Sequence, residues 1–469
     1  MKKLLVVLLF ASRAFSAISA QSVFEVRLTG SDTNGGGFVT GASGTDMSLF
    51  ANKNAVACTS CQSATINIST TDAVTNGTTT ITSATANFSA AIVGNIINVS
   101  GGTGSIASAW YQVITFTNST TIVVDRSTGL TTGTGATMNI GGALLSPGQA
   151  NSLAISGNVI FLLNVGADGA SVYSITSATG NVAGGTFSGA TVVFMQGYTS
   201  SRTLGNSDNR PTIQINTTTV TIATTSATIY KNIIFDGNTQ TAAKLTSGAN
   251  IFTNCLFKNF NTATSGTPIF YKCGATTNSA AVFGGTAICI ACEAWANTAT
   301  PITTLYCVDC LSYGNTGATT IGYSNQVCYH CVAVSNGQHG FAASTTNAPG
   351  LVVDSHAENN GVSVASAGFN FTGQGKNLRN VSYFNNNSVG VATNANPMAN
   401  VGAIPVTAGS VFVNAAASNF LLNNTVGAGA LLQSVGDPLT FPAGLTTNFR
   451  DVGAAQHQAS VGGQTAFVQ

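Results

Sequence analysis

Five ionisable residues gather in one stretch of a chain that is otherwise nearly uncharged: Asp309, His330, Asp354, His356 and Glu358. An imidazole flanked by two carboxylates has its charged form favoured and suits a general acid or a proton shuttle. Asp354, His356 and Glu358 alternate, so an extended strand puts all three on one face. Nearby stand Glu293, Trp295 and Tyr313. Two aromatic rings one above the other, beside acidic groups, make a shelf for sugar rings. If these groups cleave a glycan, the separation of the carboxylates decides how: a close pair suits a covalent intermediate, a wider one leaves room for water. The bland reading is a solvated polar face with Trp295 and Tyr313 turned inward, where small Ala294 and Ser312 leave room.

What must position these residues is a repeat. An apolar residue or Cys is followed three later by Cys or a small residue and eight later by Asn. The rows are Tyr230/Ile233/Asn238, Cys289/Cys292/Asn297, Cys307/Cys310/Asn315, Cys328/Cys331/Asn336, Val352/Ser355/Asn360 and Leu378/Val381/Asn386. Phe252/Cys255 and Phe270/Cys273 fill the gap, the second with Asn278 in place and the first with Asn261 one position late. Successive starts are 22, 18, 19, 18, 21, 24 and 26 residues apart, the spacing of solenoid coils with loops of variable length. Parallel strands about 4.8 Å apart align equivalent positions into columns, and inward columns must be apolar and alike in size. Asn recurring at a bend hydrogen-bonds the backbone of the turn. The abundance of Thr, Ser, Asn, Gly and Val argues against helical repeats. The expected fold class is all-β: a right-handed single-stranded parallel β-helix with an N-terminal antiparallel β module and a capping helix.

Two positions after each start stand Asn232, Asn254, Lys272, Ala291, Asp309, His330, Asp354 and Asn380, so this register puts His330 between Asp309 and Asp354 on neighbouring coils. Inward residues at positions zero and three require a bend between them. The ten cysteines admit three readings. Cys289/Cys292 and Cys307/Cys310 look like the paired Cys-x-x-Cys of a zinc ribbon, but the distance between pairs is the coil length, so the repeat generates the motif without a metal. An inward column of small apolar thiols and disulfides within or between coils are the other two. No zinc is expected, and Cys58 with Cys61, outside the ladder, is the expected disulfide in an exported chain.

Export follows from the first residues. Lys2 and Lys3, an apolar run from Leu4 to Ala11 and small residues up to Ala20 read as a secretory signal, with cleavage after Ala20. No other segment has the length of a membrane span, and the localisation expected is secreted, extracellular or cell-surface. Removing Lys2, Lys3 and Arg13 from the 15 basic residues leaves 12 against 14 acidic, a net charge of −2. Without a basic stripe, nucleic acid is disfavoured as a partner. Only 6% of residues are charged while 44% are hydrophobic, which leaves ample core material and a surface of hydroxyls and amides. The domain boundaries expected are 1–20 for the signal, 21–145 for an N-terminal β region, 146–450 for the β-helix and 451–469 for a tail. Within the N-terminal region the strands expected are Thr78–Thr82, Asn95–Val99, Tyr111–Thr117 and Thr120–Asp125. Ser146 to Ile155, with Pro147 in the first turn, is the capping helix, and Asn158–Asn164 the first coil.

The opening Phe24-Glu-Val-Arg-Leu-Thr-Gly-Ser-Asp-Thr-Asn-Gly35, the capping segment, repeats such as Asn254-Cys-Leu-Phe-Lys-Asn259 and the close, Phe441-Pro-Ala-Gly-Leu-Thr-Thr-Asn-Phe-Arg-Asp-Val-Gly-Ala454, resemble secreted right-handed parallel β-helix proteins of the pectate-lyase-like superfamily. The resemblance covers most of the chain and implies the fold. It leaves the activity open, because this superfamily includes polysaccharide lyases and hydrolases, phage tailspikes, adhesins and inert surface proteins. Its pectate lyases use a calcium-binding acidic cluster with a catalytic Arg. Its polygalacturonases use Asn-Thr-Asp, Asp-Asp and Gly-His-Gly segments. Gly337-Gln-His-Gly340 is only a faint echo of these, and Arg379 is the basic residue placed for a lyase role. The favoured reading is an exported, non-catalytic protein that binds a polysaccharide or surface glycan, without a cofactor. The alternative is a polysaccharide lyase or glycoside hydrolase on the central coils, with Asp309, Asp354 and Glu358 beside His330 or Arg379, and calcium only if it is a lyase. A tailspike-like or adhesin protein is the third reading. The sequence leaves the oligomeric state open.

Overall fold

A computed structural model describes residues 22–35, 68–147, 159–164, 172–175, 193–198, 210–247, 250–342, 350–387, 391–392, 404–435 and 451–454, with short gaps inside several of these. The signal segment, Cys58, Cys61 and nearly all of the 146–155 capping segment lie outside the described residues. No helix among the described residues is long and apolar enough to cross a membrane.

The chain winds as a parallel β-solenoid. Two long parallel sheets run its length, the first from Ser22–Val26 to Lys376–Arg379 and the second from Val172–Ile175 to Ile404–Pro405. Short strands on a third side, such as Tyr323–Ser324, Phe341–Ala342 and Phe369–Asn370, pair in the same sense. Ser22–Val26 pairs with Val159–Asn164, so the first sheet begins one strand earlier than the Asn158–Asn164 coil expected from the sequence. Between these two strands the chain makes a closed antiparallel barrel of six strands, from Ile68–Asn76 to Thr132–Ile140. Ala73, Ile81, Ile97, Val113, Ile122 and Met138 fill it. Among the described residues the last solenoid strand is Ile404–Pro405. Phe412–Asn414 and Asn419–Leu422 instead form an antiparallel hairpin.

The repeat positions stack as the spacing predicts. Tyr230, Phe252, Phe270, Cys289, Cys307, Cys328, Val352 and Leu378 are direct neighbours along the first sheet. Cys255, Cys273, Cys292, Cys310, Cys331, Ser355 and Val381 form the second column, each carbonyl taking the N–H of the residue that follows the next member. Where the first column shrinks from Phe to Cys, large rings arrive on the third side: Tyr323, Phe341 and Phe369 stack at 4.8 and 4.9 Å. Small and large side chains thus exchange places between columns, as close packing requires.

The bend between positions zero and three is left-handed. Asn232, Asn254, Lys272, Ala291, Asp309, His330, Asp354 and Asn380 all have φ between 50° and 57°. Apart from Gly, only Asn and Asp suit that region well, and other residues cost about 1–2 kcal/mol there. Stacking offsets this, because each N–H in the column down to Asp354 bonds a carbonyl of the next coil. Thiols close the same bend: Sγ of Cys255, Cys273, Cys292, Cys310 and Cys331 each lies 3.2–3.5 Å from the carbonyl two residues back. Ser355 Oγ donates the equivalent bond at 2.8 Å. The eight cysteines of the described coils are buried and outside any disulfide.

At the second bend Asn278, Asn297, Asn336 and Asn360 each donate backbone N–H and side-chain Nδ2 to the Oδ1 of the Asn one coil on. They follow the left-handed residue rather than occupying it, as Thr277, Ala296, Ser335 and Asn359 show. Phe260 stands at this position in its own coil and donates its N–H to Asn278, which explains why Asn261 comes one late.

Candidate functional site

The bend column brings His330 between its two carboxylates. Nε2 lies 2.9 Å from Asp354 Oδ2 and Nδ1 lies 3.4 Å from Asp309 Oδ1. Asn380 Nδ2 donates to Asp354 Oδ1, and the Gly453 N–H donates to the Asp354 carbonyl at 2.8 Å. His330 and Asp354 are wholly buried and Asp309 is a quarter exposed. Arg379 is exposed and its carbonyl takes the Asp354 N–H.

His356 and Glu358 lie on the outward face of the second sheet, in the strand His356–Glu358, yet both are wholly buried. His356 Nδ1 is 2.7 Å from Ser382 Oγ on the next coil, and Nε2 is 3.2 Å from Glu358 Oε2. Over them lies the C-terminal hairpin. Phe412 meets the His356 ring edge to face at 5.4 Å, and the Val411 N–H donates to Glu358 Oε2 at 3.2 Å. Leu311, Val332 and Val334 of the same face pack with Val411, Phe420, Leu422 and Val452. Burial pushes the Glu358 carboxyl up, but the hydrogen bond and charge of His356, with Ser410 and Val411 also donating, hold it below the ordinary value. Four of the five candidate acid–base groups therefore face protein on every side.

The aromatic pair stays outside. Ala294 and Ser312 take the inward positions and are buried, while Trp295 and Tyr313 are half-buried on the outer face. Their rings stack with centroids 6.2 Å apart and planes at 10°. Tyr313 in turn packs on Phe420 of the hairpin at 4.8 Å. Burial raises the Tyr313 hydroxyl despite a hydrogen bond with Ser418. On its other side the Trp295 ring overhangs Gly274, where a Cβ would come within 3.0 Å of Cη2 and Cζ3. Glu293 beside it is exposed, though the surrounding protein still desolvates its carboxyl enough to raise it, with Cys310 adding. Past Gly274 the same face continues as Thr276, Lys258, Asp236 and Gln214, with Lys258 Nζ 3.4 Å and Gln214 Nε2 3.3 Å from Asp236 Oδ2. This polar run was not singled out by its sequence, because its members differ in type from coil to coil.

His339, in the Gly337–Gly340 segment, is half-buried, accepts the Ala367 N–H and contacts Asn370; burial lowers its pKa. No group of three or more His, Cys, Asp and Glu among the described residues is arranged to hold a metal ion.

No protein-family model matches the chain, and no curated protein matches it. Among solved structures it is similar to the catalytic domain of a GH87 alpha-1,3-glucanase in complex with tetrasaccharides, at 10% identity and a TM-score of 0.23, over 74% of this chain and 89% of that one. A second is the tailspike protein gp49 from Pseudomonas phage LKA1, at 11% identity and a TM-score of 0.16, over 73% of this chain and 67% of that one. Likenesses this low carry no functional argument, and the solenoid rests on its own strand registers.

Proposed function

We propose that this is an exported solenoid of the pectate-lyase-like kind that binds a polysaccharide or surface glycan on the outer face of its second sheet, without cleaving it. The observation that carries the reading is the outward Trp295–Tyr313 stack at the edge of the hairpin, with Glu293 beside it and the Asp236–Lys258–Thr276 run ahead of it. Stacked rings supply flat apolar area to the face of a sugar, and the flanking amides, hydroxyls and charges meet its hydroxyls. Burial of His330, Asp354, His356 and Glu358 favours binding over hydrolysis, since an acid or base must reach within hydrogen-bond distance of the bond it cleaves. The absence of a basic stripe in the sequence favours a neutral or weakly charged ligand.

The test is affinity electrophoresis of the purified protein in gels containing neutral and acidic polysaccharides, with and without calcium, alongside an assay for newly released reducing ends. Retention without cleavage, lost in Trp295→Ala, supports the reading. Cleavage abolished by Asp354→Asn overturns it in favour of a lyase or hydrolase.

A further inference from the structure

We propose that residues 406–433 form an acid-loosened strap, whose hold on the second sheet depends on the ionised carboxylate of Glu358. The strap contains no Asp, Glu, Lys, Arg or His, so it brings no charge of its own to the contact. It offers neutral groups instead: the Val411 N–H donates to Glu358 Oε2 at 3.2 Å, and the adjacent Ser410 hydroxyl helps hold the same carboxyl low. Bonds to an ionised acceptor are roughly twice as strong as neutral ones. Here they join a segment outside the solenoid ladder to its wholly buried acid.

The surroundings of Glu358 leave few other groups to share the effect. On its own strand His356 meets Oε2 at 3.2 Å, and the adjacent Asn359 meets Oε1 at 3.2 Å. The residues in register on the neighbouring coils are Val334 and Phe384, both neutral. The closing segment brings one acid, Asp451, which is buried near the Gly453–Asp354 bond. Asp354 itself faces His330 at the bend.

The sign follows from linkage. Although burial pushes it up, Glu358 is held below the ordinary glutamate value of 4.5 by His356, Ser410 and Val411. A carboxyl held low when folded contributes stability that is full above the ordinary value and drains as pH falls through the folded one. Loosening therefore belongs to acid below about 4.5. It would uncover Tyr313 and the Leu311–Val332–Val334 stripe, lengthening the outer face available to a ligand.

Hydrogen–deuterium exchange from pH 7 to pH 3, corrected for intrinsic rates, tests this on the full chain without any glycan, so its failure is separate from failure of the binding reading. Exchange of residues 408–423 should quicken about tenfold across the acid step, while the solenoid strand Ile288–Ile290 keeps its protection. Glu358→Gln should abolish the step. Ser410→Ala, which removes one donor from the carboxylate and is readily accommodated, should move the step to higher pH. Strap protection independent of pH, loss of protection by strap and strand together, or an unshifted step in both variants would overturn the proposal.

Discussion

Asn315 Oδ1 accepts both the backbone N–H and the side-chain Nδ2 of Asn297, each at 2.9 Å. One buried amide thereby satisfies two donors of the preceding coil, and its own Nδ2 reaches the carbonyl of Ala294 and the Asn336 amide. Replacement by Ala orphans a backbone N–H in the core, at a cost of about 1–3 kcal/mol for each group left unpaired. Asn315→Ala should lower Tm sharply in thermal denaturation followed by circular dichroism. Asn315→Asp should be worse, since its carboxylate would be buried and cannot donate to Ala294 or Asn336.

Cys292 should tolerate Ser. Its thiol lies 3.4 Å from the Ile290 carbonyl, and Ser355 makes the same bond in the same column. Cys292→Ser is expected within about 1 kcal/mol of the native chain. The eight ladder thiols should resist a disulfide reagent in the native state and react once the chain is denatured. Zinc found at one per chain by elemental analysis would contradict the ladder as drawn.

Gly274→Ala should displace the Trp295 indole, because the added Cβ comes within 3.0 Å of its ring and of Leu256 Cδ1. Tryptophan emission is the readout, with Trp110 the only other indole in the chain. Under the glycan reading this variant should weaken retention while keeping the ring.

His330→Leu should destabilise the chain by about 3–5 kcal/mol, since it leaves the wholly buried Asp354 without its imidazole. His330→Asn should cost less, because Asn donates a hydrogen bond and suits the left-handed φ of 52° at this position. Chemical denaturation of both variants gives the comparison.

The stacked columns were legible because parallel pairing repeats one environment every coil, so Cys289, Cys307 and Cys328 advertise their register through spacing alone. The same logic placed His330 beside Asp309 and Asp354. It also required a bend between Cys289 and Cys292, which Ala291 supplies with a φ of 53°. Burial of His356 and Glu358 was not legible. What covers them is Val411 and Phe412, more than fifty residues away in sequence and outside the repeat, in a segment with no periodic pattern of its own. Closure of the barrel was hidden for a similar reason: it depends on Ile68–Asn76 pairing with Thr132–Ile140, a long-range contact that alternation within each strand does not encode.

The barrel leaves the solenoid after Val26, and Val26 bridges Leu144 on the way back. Entry and exit are therefore adjacent in space, and the described barrel joins the solenoid at one socket on the first coil. Such a socket makes the solenoid a chassis: the interval from 27 to 143 can be exchanged for another folded unit with neighbouring ends while the coils beyond keep their register. The plug that must be replaced in kind is Trp110, the barrel residue that joins the solenoid core, its indole N–H held by the Asn34 carbonyl of the same insert at 2.9 Å.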